Sequence, residues 1–276
     1  MEMFVKREYL DLVLVPFGLI IVLSYHLFLL YRILYFPYHT IIGYMNIDKS
    51  IWVERIMQAS PPLLISFPNF RIDNINCCVN LKIDAVARKD ELGSALTVLS
   101  SSISASTFMA SIALTLSSLI GAWIGSSPVN MTVFTGHFVY GDTSSITMVI
   151  KYTSLLVCFL VAFCCFVQST RCFLHANYLI TTPGEDIPPE MVKRAVLRGG
   201  NFWSLGLRCI YLALNLLLWL FGPIPMFINS VLMVICLYYL DANSVVQPLY
   251  HRTFEAEQIV KSMRGVLAEP LTYKCN

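Results

Sequence analysis

Long apolar runs recur along the chain between short polar stretches, and their lengths decide how they are read. A bilayer core about 30 Å thick takes about 20 apolar residues of helix to cross. Residues 10–34 form the first such run, broken only by Asp11, Ser24, His26 and Arg32. It is too long for a signal peptide, and no small-residue cleavage site follows it. Residues 95–124 and 146–180 are the next two. The last block, 202–240, would measure about 58 Å as one straight helix, more than a bilayer's thickness. Gly222 followed by Pro223 sits near its centre, and Gly past one helix end with Pro at the next start is standard punctuation. The block therefore divides into spans 202–221 and 223–240, with Pro225 tolerated near the start of the second. The pattern predicts an all-α fold: a polytopic membrane helix bundle of five transmembrane helices plus short interfacial helices. Residues 1–241 form the bundle and 242–276 a tail.

Charge between the runs orients this threading. Arg32, Lys49, Arg55, Arg71, Lys82, Arg88 and Lys89 lie between the first two spans, and only Lys151 between the next two. Lys193, Arg194 and Arg198 precede the fourth span, and Arg252, Lys261, Arg264 and Lys274 follow the fifth. Basic residues favour the cytosolic face, so this alternation expects the N-terminus outside and the C-terminus in the cytosol. The glycosylation triplet Asn130, Met131, Thr132 then falls in an outside loop. Two short helices are expected on the cytosolic side. In one, Trp52, Val53, Ile56 and Met57 share an apolar face opposite Glu54, Arg55 and Gln58, as suits a helix in the interface. The other covers 189–198, with Pro at its start and Gly199 and Gly200 past its end.

Composition agrees with the threading. Apolar types make up 57% of the chain and charged ones 13%, against about 45–50% and about 25% in soluble domains. A chain this apolar has ample surface to bury, which excludes disorder. A net charge of +2 provides no field for a phosphate backbone, so nucleic acid is not an expected partner. Of nine cysteines, Cys158, Cys164, Cys165, Cys172, Cys209 and Cys236 lie in apolar segments and read as small buried hydrophobes. Cys77, Cys78 and Cys275 lie in polar stretches, without histidines at zinc-ligand spacing. There is no HExxH, GxSxG, Walker-type loop or GxGxxG. The expectation is a non-enzyme with no catalytic, cofactor-binding or metal-ligating residues.

Two residue sets remain as candidates. The second span holds twelve Ser or Thr between Ser94 and Ser118. Within it Ser102, Ser106, Ala110, Ala113, Ser117, Gly121 and Gly125 recur three or four apart, a small-residue stripe that lets helices approach closely in lipid. Packing is favoured over a hydroxyl-lined solute path, because each hydroxyl can satisfy itself on the i−4 carbonyl. Ionisable groups within spans are costly and mark functional hypotheses. His26, Arg171, His175, Arg208 and Asp241 all fall in the cytosolic half, and are expected to converge into one inner-leaflet cluster. In it Asp241 balances an Arg, and the pair Arg171 and His175 takes an anion or lipid phosphate. His137 reads as a surface residue. Tyr25, Tyr31, Tyr35, Trp123, Tyr152, Trp203 and Trp219 read as interfacial anchors or packing.

The segments 14–18 (LVPFG), 40–43 (TIIG) with Trp52 and Val53, 175–183 (HANYLITTP) and 218–226 (LWLFGPIPM) resemble, in order and spacing, the plant membrane-protein family known as domain of unknown function 599. The resemblance covers about 9–241. It implies a multi-pass membrane protein and supplies no catalytic residue, cofactor or substrate. One stretch departs from it: in the family pattern Ala59, Ser60, Pro61 runs almost directly into Glu91, Leu92, Gly93, whereas here 62–89 intervenes. It reads as a disordered insertion, with a retained intron as the other reading. The function expected is a structural or interaction (scaffold) membrane protein. Its expected partners are the bilayer, anionic lipid and an oligomer formed through the second span. The alternative is a small-solute or ion translocator using that span.

Overall fold

A computed structural model describes residues 7–59, 75–125, 145–182 and 188–241. All regular structure in these residues is helical: α1 (Arg7–Tyr35), a 3₁₀ turn (Pro37–His39), α2 (Ile41–Ala59), α3 (Ile75–Gly125), α4 (Ser145–Thr181), α5 (Pro189–Trp219) and α6 (Pro223–Asp241). Five segments are long and apolar enough to cross a membrane: Asp11–Tyr35, Lys89–Gly125, Ser145–Thr181, Pro189–Trp219 and Pro223–Asp241. The triplet at Asn130, His137, Cys275, residues 62–74 and the tail beyond Asp241 lie outside the described residues.

Packing follows chain order in part. α3 lies on α4, α4 on α5, α5 on α6, and α6 on α1, with α2 against α5. Gly222 makes the α5–α6 hairpin with a φ of 148°, a conformation open to glycine and costly for other residues. Its N–H closes the turn on the Leu218 carbonyl at 3.3 Å. One end of the bundle is thus the hairpin end and the other, where Lys49, Arg171, Arg194 and Arg198 gather, the basic end. Val15, Leu155, Phe159, Leu216, Trp219 and Met226 form the core at the hairpin end. Ala110, Ala113, Ala162 and Phe166 fill the middle, and Val53, Leu99, Phe173, Val192 and Val196 the basic end.

Four expectations are corrected. The separate helix over 189–198 is the first part of one continuous α5, because Gly199 and Gly200 serve close approach rather than termination. A Cβ at Gly199 would come 2.8 Å from the Phe173 ring, and one at Gly200 2.5 Å from the Lys49 ammonium. The expected loop over 62–89 is helical from Ile75 onward. The helix containing Trp52 and Val53 does form, but as a longer α2 whose apolar face docks on protein: Val53 is buried, and Trp52 and Met57 pack against the same core. Its start is set by Thr40, whose Oγ1 accepts the Gly43 N–H at 3.2 Å, an N-cap bond. Cysteine burial also differs: Cys165 is buried, whereas Cys164 and Cys236 are exposed on the outer surface of the bundle.

These glycines separate close packing from open surface. Gly206→Ala, whose new methyl would sit 2.8 Å from the buried Phe166 ring, is expected to cost about 1–3 kcal/mol by overpacking. Gly121→Ala, which meets nothing within 4 Å, is expected to be neutral or to stabilise by up to about 1 kcal/mol. Unfolding of the purified protein in mixed micelles checks both.

Candidate functional site

Lys151 comes first, because its side chain is 0% exposed inside an apolar bundle. From the first turns of α4 its Nζ lies 3.8 Å from the Asp11 carboxylate of α1. It also sits 5.3 Å from the centre of the Trp219 ring at the end of α5. The Trp219 indole N–H donates to Asp11 Oδ1 at 3.3 Å. Opposite charges and an aromatic face offset the cost of removing the ammonium from water. The three residues tie three helices together at the hairpin end.

Deeper polar groups are likewise spent on each other. Asn215 donates to Ser230 Oγ at 2.8 Å and accepts from Asn229 at 3.0 Å. Ser230 in turn donates to the Met226 carbonyl. Ser169 donates to the Gly199 carbonyl at 2.8 Å and lies 3.2 Å from the Ser106 hydroxyl, linking α3, α4 and α5. Side chains that would be destabilising alone in lipid become cross-links between helices.

The five ionisable residues expected to meet in one cluster occupy two places. In the first, Arg208 Nη2 lies 2.9 Å from both Asp241 carboxylate oxygens, and Tyr25 donates to the same carboxylate at 2.7 Å. His26 is alongside, its Nδ1 2.7 Å from the Val22 carbonyl oxygen. In the second, Arg171 and His175 line a cavity of about 700 Å³ between α4 and α5, together with Arg194 and Arg198. The division follows from helix geometry: at 100° per residue, Arg208 is rotated by about 80° from Arg198 around α5. The two arginines therefore face different neighbours.

The stripe on α3 also divides. Ser106, Ala110, Ala113 and Ser117 are buried, with the two alanines packed on Ala162 and Phe166 of α4. Ser102 is on the wall of a cavity of about 470 Å³ that also meets Lys49, Trp52 and Trp203. Burial there pushes the Lys49 ammonium below the usual lysine range. Gly121 and Gly125 are exposed, so the packed stripe stops at Ser117. On the outward side, Thr107, Ser111, Thr115 and Ser118 donate to carbonyls four residues back.

Asp11, Lys151 and Asn215 passed unremarked as sites in the sequence, although each is an isolated polar group in or at the edge of an apolar run. That isolation was the available signal. Tyr25 and Trp219, read there as anchors or packing, turn out to carry hydrogen bonds to carboxylates. Among the described residues no group of three or more His, Cys, Asp or Glu is placed to hold a metal ion.

The clamp at the hairpin end gives a direct test. Asp11→Asn removes the countercharge from a buried lysine and is expected to destabilise by about 3–5 kcal/mol. Adding Lys151→Met to the same protein is expected to restore much of that loss, since no bare charge remains. Unfolding in mixed micelles would show this as strong non-additivity; simple addition of two losses would remove the clamp from the account.

No curated protein and no solved structure matches this chain. The family model described as "Protein of unknown function, DUF599" matches residues 13–66 and 83–246. Its break at 67–82 lies within the expected insertion at 62–89 and is narrower, since the flanks belong to the shared pattern. With most of its length and nearly all of its five apolar helices covered by that match, the chain belongs to the DUF599 family.

Proposed function

We propose that this protein is a structural or interaction component of its membrane, a scaffold that assembles laterally through α3. The observation that carries this reading is how α3 is used. It is the edge helix, packed along one side on α4, while Thr107, Ser111, Thr115, Ser118, Gly121 and Gly125 form a strip of small exposed residues on its outward side, beside the exposed Phe108, Leu114 and Leu119. Bulky apolar side chains are the ordinary covering of a lipid-facing surface. A small-residue face instead lets another helix come close enough for packing and weak hydrogen bonds to hold it. A second copy of the chain is the partner proposed for that face.

The same outward hydroxyls support a second reading, translocation of a small solute or ion along α3. It ranks lower because these hydroxyls are already satisfied on their own helix and the cations Lys151 and Arg208 within the bundle are paired. For sidedness, we propose that the basic end faces the cytosol, following the distribution of Lys and Arg.

Two measurements test these proposals. Energy transfer between labelled copies in vesicles is expected to fall several-fold in Ser111→Leu, with helicity unchanged. The inward substitution Ala113→Leu is instead expected to destabilise the fold by about 1–3 kcal/mol. Undiminished transfer in Ser111→Leu would remove the α3 interface, and solute flux that depends on Ser111 would put translocation first. Reporter tags are expected to place the N-terminus outside and the C-terminus in the cytosol; the reverse, or both on one face, would overturn the orientation.

A further inference from the structure

The groove between α4 and α5 has a property that the paired charges elsewhere lack. Among the described residues its lining includes Arg171, His175, Arg194 and Arg198 but no carboxylate. The ion pairs among the described residues use Lys151, Lys193 and Arg208 as their cations, so these three arginines take part in none of them. Cys172 lines the same cavity as Arg171 and Arg198. Three guanidinium forks and an imidazole around one cavity suit a phosphate, which arginine binds with parallel N–H donors.

The depth of the groove fits a lipid headgroup. The Ser169 hydroxyl bonds the Gly199 carbonyl, which sets α4 and α5 level at that point. Counting from the hairpin-end clamp at 1.5 Å per residue, Ser169 is about 27 Å from Lys151 and Gly199 about 30 Å from Trp219. That is the thickness of a hydrocarbon core. With the clamp at one edge of the core, the arginines one residue or a few beyond this level stand at the lipid phosphates of the basic-end leaflet.

What lies below the groove distinguishes a lipid from a free anion. Gln168 and Phe202 line the basic cavity and also an adjoining one of about 290 Å³. The second cavity is walled by Val157, Leu160, Val161 and Cys164. From Gln168 to Val157 it runs about 16 Å along α4 towards the hairpin end, close to the depth of one leaflet. A basic head continuous with an apolar trough of that length complements an amphiphile with one phosphate and an acyl chain.

We propose that the α4–α5 groove is a binding site for a single anionic phospholipid. Arg171, Arg194, Arg198 and His175 hold the phosphate, and one acyl chain lies along the trough beside Val161. The site is separate from the α3 face and does not depend on the assembly reading.

Native mass spectrometry of the full chain, released from vesicles of phosphatidylglycerol and phosphatidylcholine with identical acyl chains, tests it. One phosphatidylglycerol per chain is expected to be retained in preference. In Arg171→Gln/Arg198→Gln retention is expected to fall about tenfold or more, the scale of losing charge-assisted contacts. Arg55→Gln, an exposed cation of α2, is expected to retain lipid as the parent does. Equal retention in the double variant, or equal loss in Arg55→Gln, overturns the site. Val161→Trp, which fills the trough and leaves the charges in place, is expected to weaken lipid retention while leaving the binding of millimolar inorganic phosphate to the lipid-free protein unaltered. If it has no effect, and inorganic phosphate alone strips the lipid, the groove is a free-anion site and the lipid assignment fails. Should the double variant not fold, cross-linking the parent protein to a phosphatidylglycerol with a photoreactive acyl chain decides the matter. Labelling within residues 157–168 is expected, and labelling confined to other helices overturns the proposal.

Discussion

A polar group in the interior of a membrane bundle must find its partner in the protein, and this constraint shapes the chain from end to end. Lys151 is its most demanding case. An ammonium with no exposed surface would be strongly unfavourable alone in an apolar interior. The α1 carboxylate and the α5 indole arranged around it make the site tolerable. The result is positional information: α1, α4 and α5 have one relative height at which Asp11, Lys151 and Trp219 meet. Apolar packing alone, which is nearly indifferent to sliding by a turn, does not specify height so sharply.

Below the clamp the same logic operates with neutral groups. The amide and hydroxyl set at Asn215, Asn229 and Ser230 links α5 to α6, and Ser106, Ser169 and the Gly199 carbonyl link α3, α4 and α5. Between these two levels Arg208, Asp241 and Tyr25 link α5, α6 and α1. Glycine makes these links possible. Gly199 and Gly206 bring α5 within reach of the Phe173 and Phe166 rings, and Gly18 leaves room for the Ser230 hydroxyl, which would lie 3.0 Å from an added Cβ. Side-chain bonds and close backbones are one device in lipid, since neither helps unless the helices already touch.

Much of the architecture was legible from the chain. Run length identified the apolar helices, and the Gly222 and Pro223 pair located the hairpin, because both depend on local chemistry and the bilayer's thickness. What escaped reading depends on rotation and neighbours. Gly199 and Gly200 look like a helix stop in one dimension; only the Phe173 ring and the Lys49 ammonium beside them explain why the helix continues. His26, Arg171, His175, Arg208 and Asp241 share the half of the bundle away from the hairpin, which sequence reveals. They do not share a direction around their helices, which it reveals only once the pairing of helices is known. The α3 stripe was read along its full periodicity, yet the packed part ends at Ser117 because, among the described residues, nothing lies against Gly121 and Gly125.

The tight turn at Gly222 carries a consequence for how this protein is made. With only Leu220, Phe221 and Gly222 between α5 and α6, the ribosome completes both helices with scarcely any tether between them. Asn215 has no amide or hydroxyl partner on another helix until Asn229 and Ser230 have been synthesised. Release of α5 into lipid ahead of α6 would strand that side chain, so the two helices are best suited to leave the insertion machinery together as a preformed hairpin.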